Sequence, residues 1–566
     1  MQRTPVAIAL LAALQLSCSA NEEGPDGASG PAPRLILHNA AIYTLDPNKP
    51  WAEAVAVRGD EIVAVGSDED VLALAGSETQ VVDLEEVMLL PGLQDPHLHA
   101  LEAGLNREVC FLEPGLPLRA YERAMRACAR EQVGEGWVRG AGPFANDLLD
   151  EGELPIEALD RAVPSRPALV LDAVGHAVWV NSKALEAIGL DEASDDPPGG
   201  ILDRDPRTGR LTGLLLEAAQ YLARDAAEPA TPDNLERAYV GLLDALETIN
   251  RNGITSVSDA GGYWPRGHHE VWQRAEAAGT LTVRASNALF VYPYRAAEEQ
   301  IQKLRSLFSN DADRLLRFNQ AKIYLDGIPS IGSAALLEPY AGTVNERGLL
   351  YFEPAALART SQALHEGGFQ LHFHVTGDRA ARLGLDVLRT GTRASDDRRH
   401  RMTHLYFVHP DDVPRFAAEG VIADFQIGPE SSSADYEEFI AERVGRRARR
   451  ALPMAELLDA GARVVLSSDW DAEPLAPFEM LQRGLQRHRD PIPDLATGLR
   501  MMTLDVAYAL GQEQTTGSIE VGKKADLIAI DRNLFEIPAS RIGQTEVLLT
   551  LLGGEEVFAA SGWSLR

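Results

Sequence analysis

Short apolar runs recur through the middle of the chain, and segments with the helical spacing of apolar residues separate them. Eight of these runs have the length and composition of buried strands: the run that contains His97 and His99, and then 253–260, 281–290, 319–327, 369–377, 401–408, 420–427 and 462–470. Helical stretches lie between them at 231–252, 268–279, 354–367, 378–391 and 410–419. Strands that alternate with helices in this way predict an α/β fold, specifically a (β/α)8 TIM barrel.

Two parts of the chain do not follow this alternation. Residues 105–250 are too long for a single loop of a barrel and predict an inserted subdomain. Residues 34–91 and 506–566 instead contain short β-like runs that are separated by turn signals. We therefore expect a barrel over residues 92–505 and a small β-sandwich that is formed from both ends of the chain.

The first residues have the pattern of an export signal. The apolar stretch 7–16 is too short to span a bilayer and is typical of a signal-peptide core. Cys18 resembles the lipid-modified cysteine of a bacterial lipoprotein, with Gln15 where leucine is usual, and a simple secretory signal cut nearby is the alternative. We expect a signal peptide over 1–18 and a flexible tether over 19–33. The protein is then exported to the periplasm or cell envelope, with a lipid anchor at Cys18 as its membrane attachment.

Composition narrows the classes of partner. The 566 residues carry a formal net charge of −31, which argues against binding of nucleic acid or of anionic membranes by charge.

Apart from Cys18, the chain contains only Cys110 and Cys128. These two could pair in an oxidising compartment, or they could be two isolated buried thiols.

Side chains that can bind a metal ion gather at the predicted carboxyl ends of the barrel strands, where barrel active sites form. Only one residue separates His97 from His99 in a predicted strand, so both imidazoles face the same side. The full set of strand-end candidates is His97, His99, Lys322, His374, His404 and Asp469. Neutral imidazoles and a carboxylate are the donors that zinc prefers, so the set predicts a site for one or two divalent ions of the zinc class.

Lys322 is the unusual member of this set, because an ammonium group should not lie beside a dication. It fits if carbon dioxide converts the amine into an anionic carbamate that can bridge two metal ions. The alternative is a lysine of the barrel wall that pairs with Asp326 or with another carboxylate.

Several blocks in a fixed order resemble one known family. They are LPGLQDPHLHA (90–100) and the segments 175–190, 321–327, 372–380, 399–404, 464–475 and 517–531. Together they resemble the amidohydrolase superfamily, and within it the YtcJ-like branch, amidohydrolase family 3. The likeness runs from about Leu35 to Phe558 and is specific because the blocks occur together.

The resemblance implies roles for individual residues. It implies that the metal ligands are His97, His99, His374, His404 and Asp469 and that Lys322 is carboxylated. It also implies that Asp469 shuttles protons and that His404 helps to polarise the substrate carbonyl. On strand five it favours His374 over His372, which we expect lower in the barrel. His176 matches a Gly-His block and is a candidate substrate contact, with a structural role as the alternative.

The chain departs from the family pattern near the pocket. Thr403 stands where glutamate is common, 427–433 reads IGPESSS, and Ser467-Ser468 replaces the common Gly-Ser. None of these changes removes an expected ligand, so we expect the metal centre to be retained and the substrate pocket to differ from that of the family.

The resulting hypothesis is a metal-dependent amidohydrolase that hydrolyses a non-peptide, amide-type C–N bond in a small molecule. Attack by hydroxide on the metal is the expected chemistry, since a bound ion lowers the pKa of water from 15.7 to about 7. A cyclic-amide hydrolase, a deaminase or an esterase could use the same site. An inactive exported lipoprotein that binds a metal or a ligand is the alternative from another class, and the presence of Asp469 argues against it.

Overall fold

The computed structural model describes residues 31–149, 152–391, 399–429 and 432–565. The predicted signal peptide, the predicted lipid-anchor residue Cys18 and the predicted tether as far as residue 30 lie outside the described residues. Within the described ranges, none of the helices combines the length and the apolar character that a membrane crossing requires.

Eight parallel strands form the sheet at the centre of the protein, and the predicted barrel is confirmed. The strands are β1 (Leu93–Leu98), β2 (Ile254–Asp259), β3 (Arg284–Phe290), β4 (Leu316–Tyr324), β5 (Gln370–Val375), β6 (Arg401–His404), β7 (Ile422–Phe425) and β8 (Val464–Leu466). Each pairs with its neighbours in chain order. All nine residues of β4 are buried, as expected for a parallel strand that is covered on both faces.

The barrel closes between its last and first strands through the loop after β8. The amide of Asp469 donates to the carbonyl of His97 at 2.9 Å, and the amide of His99 donates to the carbonyl of Trp470. These bonds fix the residues that follow β8 directly beside the end of β1.

Helices surround the strands, and most of them share one continuous apolar core with the strands. Their bounds are Ala100–Asn106, Pro232–Arg251, His268–Ala277, Ala297–Leu307, Pro354–Glu366, Asp378–Gly391, Val413–Glu419, Ala434–Val444, Met454–Asp459, Pro477–Gln486, Leu495–Met501 and Leu504–Ala509. The helix after β1 crosses the long helix Pro232–Arg251 where Gly104 meets Gly241, and a methyl group at position 104 would overlap the Gly241 carbonyl. Glycine is required there for the close approach that seats the helix after His99.

A second sheet lies between β1 and β2 in the sequence. Its strands are Cys110–Phe111, Val138–Ala141, Ala168–Leu171, Ala177–Val180, Gly200–Arg204 and Leu211–Glu217. The helices Leu118–Glu131, Pro155–Ala162, Ser182–Ile188 and Gln220–Ala227 accompany it. A disulfide joins Cys110 to Cys128, with 6.0 Å between the two Cα atoms, so the structure has the paired form of these cysteines.

The two ends of the chain build two sheets that pack on each other, as the predicted sandwich requires. One contains Glu61–Gly66, Ala54–Arg58, Leu35–His38 and Gln80–Asp83, and the helix Asp68–Leu72 lies beside it. The other contains Glu555–Ala559, Val547–Leu552, Leu527–Ile530, Met88–Pro91, Ala41–Tyr43 and Trp51–Ala52. Leu37 and Val57 of the first sheet share a buried cluster with Leu89 and Leu527 of the second.

Candidate metal centre and active site

The structure brings together all six strand-end residues that the sequence predicts as a metal centre. They are His97 in β1, His99 just after it, Lys322 in β4, His374 in β5, His404 at the end of β6 and Asp469 shortly after β8. Lys322 and His97 are completely buried, and the Asp469 side chain is 18% exposed. Strands far apart in the sequence therefore deliver these groups to one point, because the carboxyl ends of the barrel strands meet there.

Asp469 is the centre of the cluster. Its Oδ1 lies 3.4 Å from His97 Nε2 and 3.2 Å from His99 Nε2, and its Oδ2 lies 3.8 Å from His404 Nδ1. One ligand atom each from His97, His99 and Asp469 falls within 4.8 Å of the others. Although burial would raise the pKa of Asp469, its contact with His99 holds that pKa below the usual range. The carboxylate is therefore ionised, which is the form that binds a cation.

Within the described part of the chain, several ring nitrogens in this cluster have no hydrogen-bond partner, which bears on whether a metal ion fits the site. Both ring nitrogens of His374 and the Nδ1 of His99 are buried and have no hydrogen-bond partner among the described residues. Buried polar atoms are otherwise almost always paired, so nitrogens left free at this point suit a metal ion. Burial lowers the pKa of His97 and His374, and it lowers that of His404 to about 3. These three imidazoles are thus neutral and able to ligate. Burial would also lower the pKa of His99, but its contact with the Asp469 carboxylate raises that pKa.

Lys322 lies against the histidines. Its Nζ is 3.0 Å from His97 Nε2 and 3.5 Å from His372 Nε2. Burial lowers the pKa of Lys322 to about 7. Asp326 instead accepts hydrogen bonds from the amides of Thr376 and Gly377, at 2.9 and 2.8 Å. The structure therefore does not have the Lys322–Asp326 pair that was the alternative for this lysine.

A network of polar side chains supports His97 from below. His97 Nδ1 lies 2.8 Å from the Thr403 hydroxyl, to which Gln426 donates at 2.8 Å. Gln426 also donates to Ser467 Oγ at 2.6 Å, and Ser467 donates to Asp424 at 2.6 Å. Of the positions that depart from the family pattern, Thr403 thus contacts a ligand imidazole directly, and Ser467 supports this contact through Gln426.

His372 lies one layer lower, as the sequence predicts. Its Nδ1 is 2.9 Å from a guanidinium nitrogen of Arg401, whose Nε lies 3.6 Å from Asp424. His372 and Asp424 could join His97 as a second donor group for an ion. The positive charge of Arg401 already lies beside two members of that group, His372 and Asp424, so we interpret the group as structural support.

Left-handed backbone conformations occur where the ligands leave their strands. His404 has φ 76°, Leu405 has φ 46° and Asp469 has φ 56°. Such angles are uncommon for residues other than glycine and cost about 1–3 kcal/mol each, and they concentrate at functional sites. Here they turn two of the proposed ligands toward the shared point.

The family model described as the amidohydrolase family matches residues 80–558. The chain belongs to the amidohydrolase family. Consistent with this, it is 28% identical over 542 residues to N-substituted formamide deformylase of Arthrobacter pascens. The alignment covers 92% of this chain and 97% of that relative. It is 26% identical over 556 residues to the putative amidohydrolase YtcJ of Bacillus subtilis, covering 93% of this chain and all of that protein. The predicted YtcJ-like resemblance is confirmed.

The fold of this amidohydrolase matches that of solved hydrolases. An uncharacterized metal-dependent hydrolase from Pyrococcus horikoshii OT3 superposes with a TM-score of 0.71 at 22% identity, covering 89% of this chain and 99% of that structure. With family membership established, the protein is a metal-dependent hydrolase that acts on C–N bonds.

The amidohydrolase centre opens into a cavity of about 560 Å³. His374, His404 and Asp469 line one side of it. The inserted sheet and its loops supply another part of the wall, and the aromatic side chains of the wall are Phe144, Tyr406, Tyr436 and Phe439. A substrate in this cavity therefore contacts the proposed ligands on one side and apolar rings on others.

His176 reaches the same cavity from the inserted sheet. Its ring centroid lies 5.1 Å from that of His374, and its Nδ1 lies 2.7 Å from Glu217 Oε2. Glu217 has φ 56° and also accepts hydrogen bonds from Tyr351 and Ser333. Burial would lower the pKa of His176, but the Glu217 carboxylate raises it. The sequence does not indicate a role for Glu217, which appears there only as a charged residue after the apolar run Leu214–Leu216.

Proposed function

We propose that this amidohydrolase hydrolyses a small linear amide that carries a substituent on its nitrogen. The observation that carries the proposal is the position of Asp469, which contacts the imidazoles of His97 and His99 and also lines the cavity. A carboxylate at that point can serve both an ion and a substrate. A relative of this chain is an N-substituted formamide deformylase, which supports an open-chain amide as the substrate class.

Zinc is the ion that we propose for the centre, as a single ion or as a pair. The donor set of imidazoles with one carboxylate supports zinc. We also propose that Lys322 is carboxylated when two ions are bound, because its Nζ is fully buried and only 3.0 Å from His97 Nε2. The carbamate oxygens would then bind the metal ions in place of the Lys322 amine nitrogen.

When bound, the ion supplies a Lewis acid that polarises the amide carbonyl and makes water a competent nucleophile. Asp469 uses its two oxygens differently in this proposal. Oδ1, which faces His97 and His99, would help to hold the ion, while Oδ2 would accept the proton of the attacking water and pass it to the leaving nitrogen. His404 lies beside Oδ2 on the cavity wall, where its ring can contact the carbonyl oxygen.

His176 orients the substrate in this account. The bond from its Nδ1 to Glu217 fixes the ring, which leaves Nε2 as the atom available to the cavity. Glu217 is thus a positioning residue, and His176 is the residue that contacts the amide.

A panel of matched compounds tests the proposed reaction. N-benzyl amides of formic, acetic and propionic acid would be compared with isoindolinone, benzyl formate and cytosine, which represent a cyclic amide, an ester and a deaminase substrate. We expect release of benzylamine and the acid in equal amounts, with kcat/KM at least about 100-fold higher for one open-chain amide than for the other classes. Faster turnover of the cyclic amide, the ester or cytosine would contradict the proposal.

We further propose that the protein is exported and acts in the periplasm or cell envelope, attached through lipid at Cys18. The sequence pattern of residues 1–18 supports export. The disulfide between Cys110 and Cys128 supports it as well, since such bonds persist in oxidising compartments.

A further inference from the structure

Asp172 lines the cavity, and one of its carboxylate oxygens has no hydrogen-bond partner among the described residues. It follows directly after the strand Ala168–Leu171 of the inserted sheet, and its Oδ1 accepts the amides of His176 and Ala177 at 2.8 and 3.0 Å. Its Oδ2 is buried and has no hydrogen-bond partner among the described residues, while the residue as a whole is only 5% exposed. One oxygen of this carboxylate is therefore committed to the fold, and the other is buried, without a partner in the described part of the chain, in a residue that lines the cavity.

Outside the metal centre and His176, the ionisable side chains described on the cavity wall are carboxylates and tyrosines. Among the described residues that line it there is no lysine or arginine, whereas Asp147, Asp172, Asp435 and Glu473 lie on the wall in addition to Asp469 of the metal centre. His176 cannot neutralise Asp172 alone, because Glu217 already binds the same imidazole. Even a fully protonated His176 leaves this group of three side chains with a net negative charge.

A buried carboxylate oxygen without a donor is unfavourable, because it has lost its hydration without gaining a hydrogen bond. A water molecule can satisfy it partly. A cationic nitrogen satisfies it better, since hydrogen bonds between charged groups are shorter and stronger than those with neutral donors. Burial raises the pKa of Asp172 to about 6, so the group is largely ionised at neutral pH and able to attract such a cation.

We propose that Asp172 binds a cationic nitrogen of the substrate, so that the enzyme prefers amides that carry an ammonium group together with an apolar body. The aromatic rings of Phe144, Tyr436 and Phe439 on the cavity wall provide the contact for that apolar body. This inference rests on the amide hydrolysis proposed above and adds the charge class of the substrate. Substrates with a carboxylate in the same place are disfavoured, because they would meet several like charges.

Two substrates that differ in one group test the preference. N-[4-(aminomethyl)benzyl]formamide carries an ammonium group where N-(4-ethylbenzyl)formamide carries a methyl group of similar size. With the wild-type enzyme we expect kcat/KM to be at least about tenfold higher for the charged compound. Asp172→Asn keeps an oxygen for the amides of His176 and Ala177, and it should reduce this preference to about twofold or less while the neutral compound is still hydrolysed.

Asp435→Asn is the matched control, because Asp435 lies on the same wall but is exposed to solvent. It should leave the preference unchanged. An equal rate for both compounds with the wild-type enzyme would overturn the inference and would mean that only water occupies the Asp172 oxygen. A preference that survives in Asp172→Asn would also overturn it, since the general acidity of the protein would then be the cause.

Calorimetry separates this inference from the proposed reaction. Benzylammonium and benzyl alcohol would be titrated into the metal-loaded protein at neutral pH, where no turnover is needed. Tighter binding of the ammonium by at least about tenfold, lost in Asp172→Asn, supports the role of Asp172 even if no amide is hydrolysed. Equal binding in the wild-type protein contradicts it, whatever the substrate panel gives.

Discussion

Asp469→Asn is expected to lower kcat for amide hydrolysis by about 10²- to 10⁴-fold, because the amide side chain cannot accept the proton of the attacking water. The substitution keeps the size of the side chain and an oxygen that can face His97 and His99. The protein should therefore stay folded and retain at least part of its metal. The measurement is single-substrate kinetics on the best amide of the panel, with metal content determined on the same samples.

Asp435→Asn is again the suitable control, since it removes a carboxylate from the same cavity without touching the ligand histidines. It should keep kcat within about threefold of the wild-type value. Wild-type turnover in Asp469→Asn would show that another group carries the proton. An equal loss in both variants would show that the rate depends on the charge of the cavity rather than on Asp469.

His374→Asn is expected to lower metal affinity by more than about 100-fold and to abolish turnover at low metal concentration. Both nitrogens of this imidazole are buried and have no hydrogen-bond partner within the described part of the chain, so its loss chiefly removes a metal donor. Metal content by elemental mass spectrometry, with turnover measured over a range of added zinc, provides the test.

His372→Asn is the matched comparison, because it changes a buried histidine two residues earlier on the same strand. His372 contacts Arg401 and Lys322 instead of the cavity, so we expect a lower melting temperature with the metal content retained. If His372→Asn lost the metal and His374→Asn kept it, the assignment of the strand-five ligand would be wrong.

The barrel and the strand-end cluster could be predicted because their signals are local. Each strand is a short apolar run, and each candidate ligand stands at the end of such a run, as His404 does in β6 and His374 does in β5. The carboxyl ends of barrel strands meet by geometry, so residues as distant as His97 and Asp469 could be expected together without knowledge of any loop.

The cavity wall could not be predicted in the same way. His176 and Glu217 are 41 residues apart, and they meet only because their strands are neighbours in the inserted sheet. Asp172 gives no sign in the sequence that one of its oxygens is bound by backbone and the other is free. The order of the strands and the paths of the loops determine such contacts, and neither can be deduced from residue types alone.

A combined titration of metal and activity tests whether the cluster at the ends of the barrel strands is a catalytic metal centre. Protein that begins near Pro31 would be stripped with a chelator and then reloaded with zinc, while bound metal and amide turnover are measured on each sample. We expect less than about 1% of the activity in the stripped protein and full recovery at about one or two ions per chain. Full activity without metal, or no binding of zinc after reloading, would contradict a catalytic metal centre at the ends of the barrel strands.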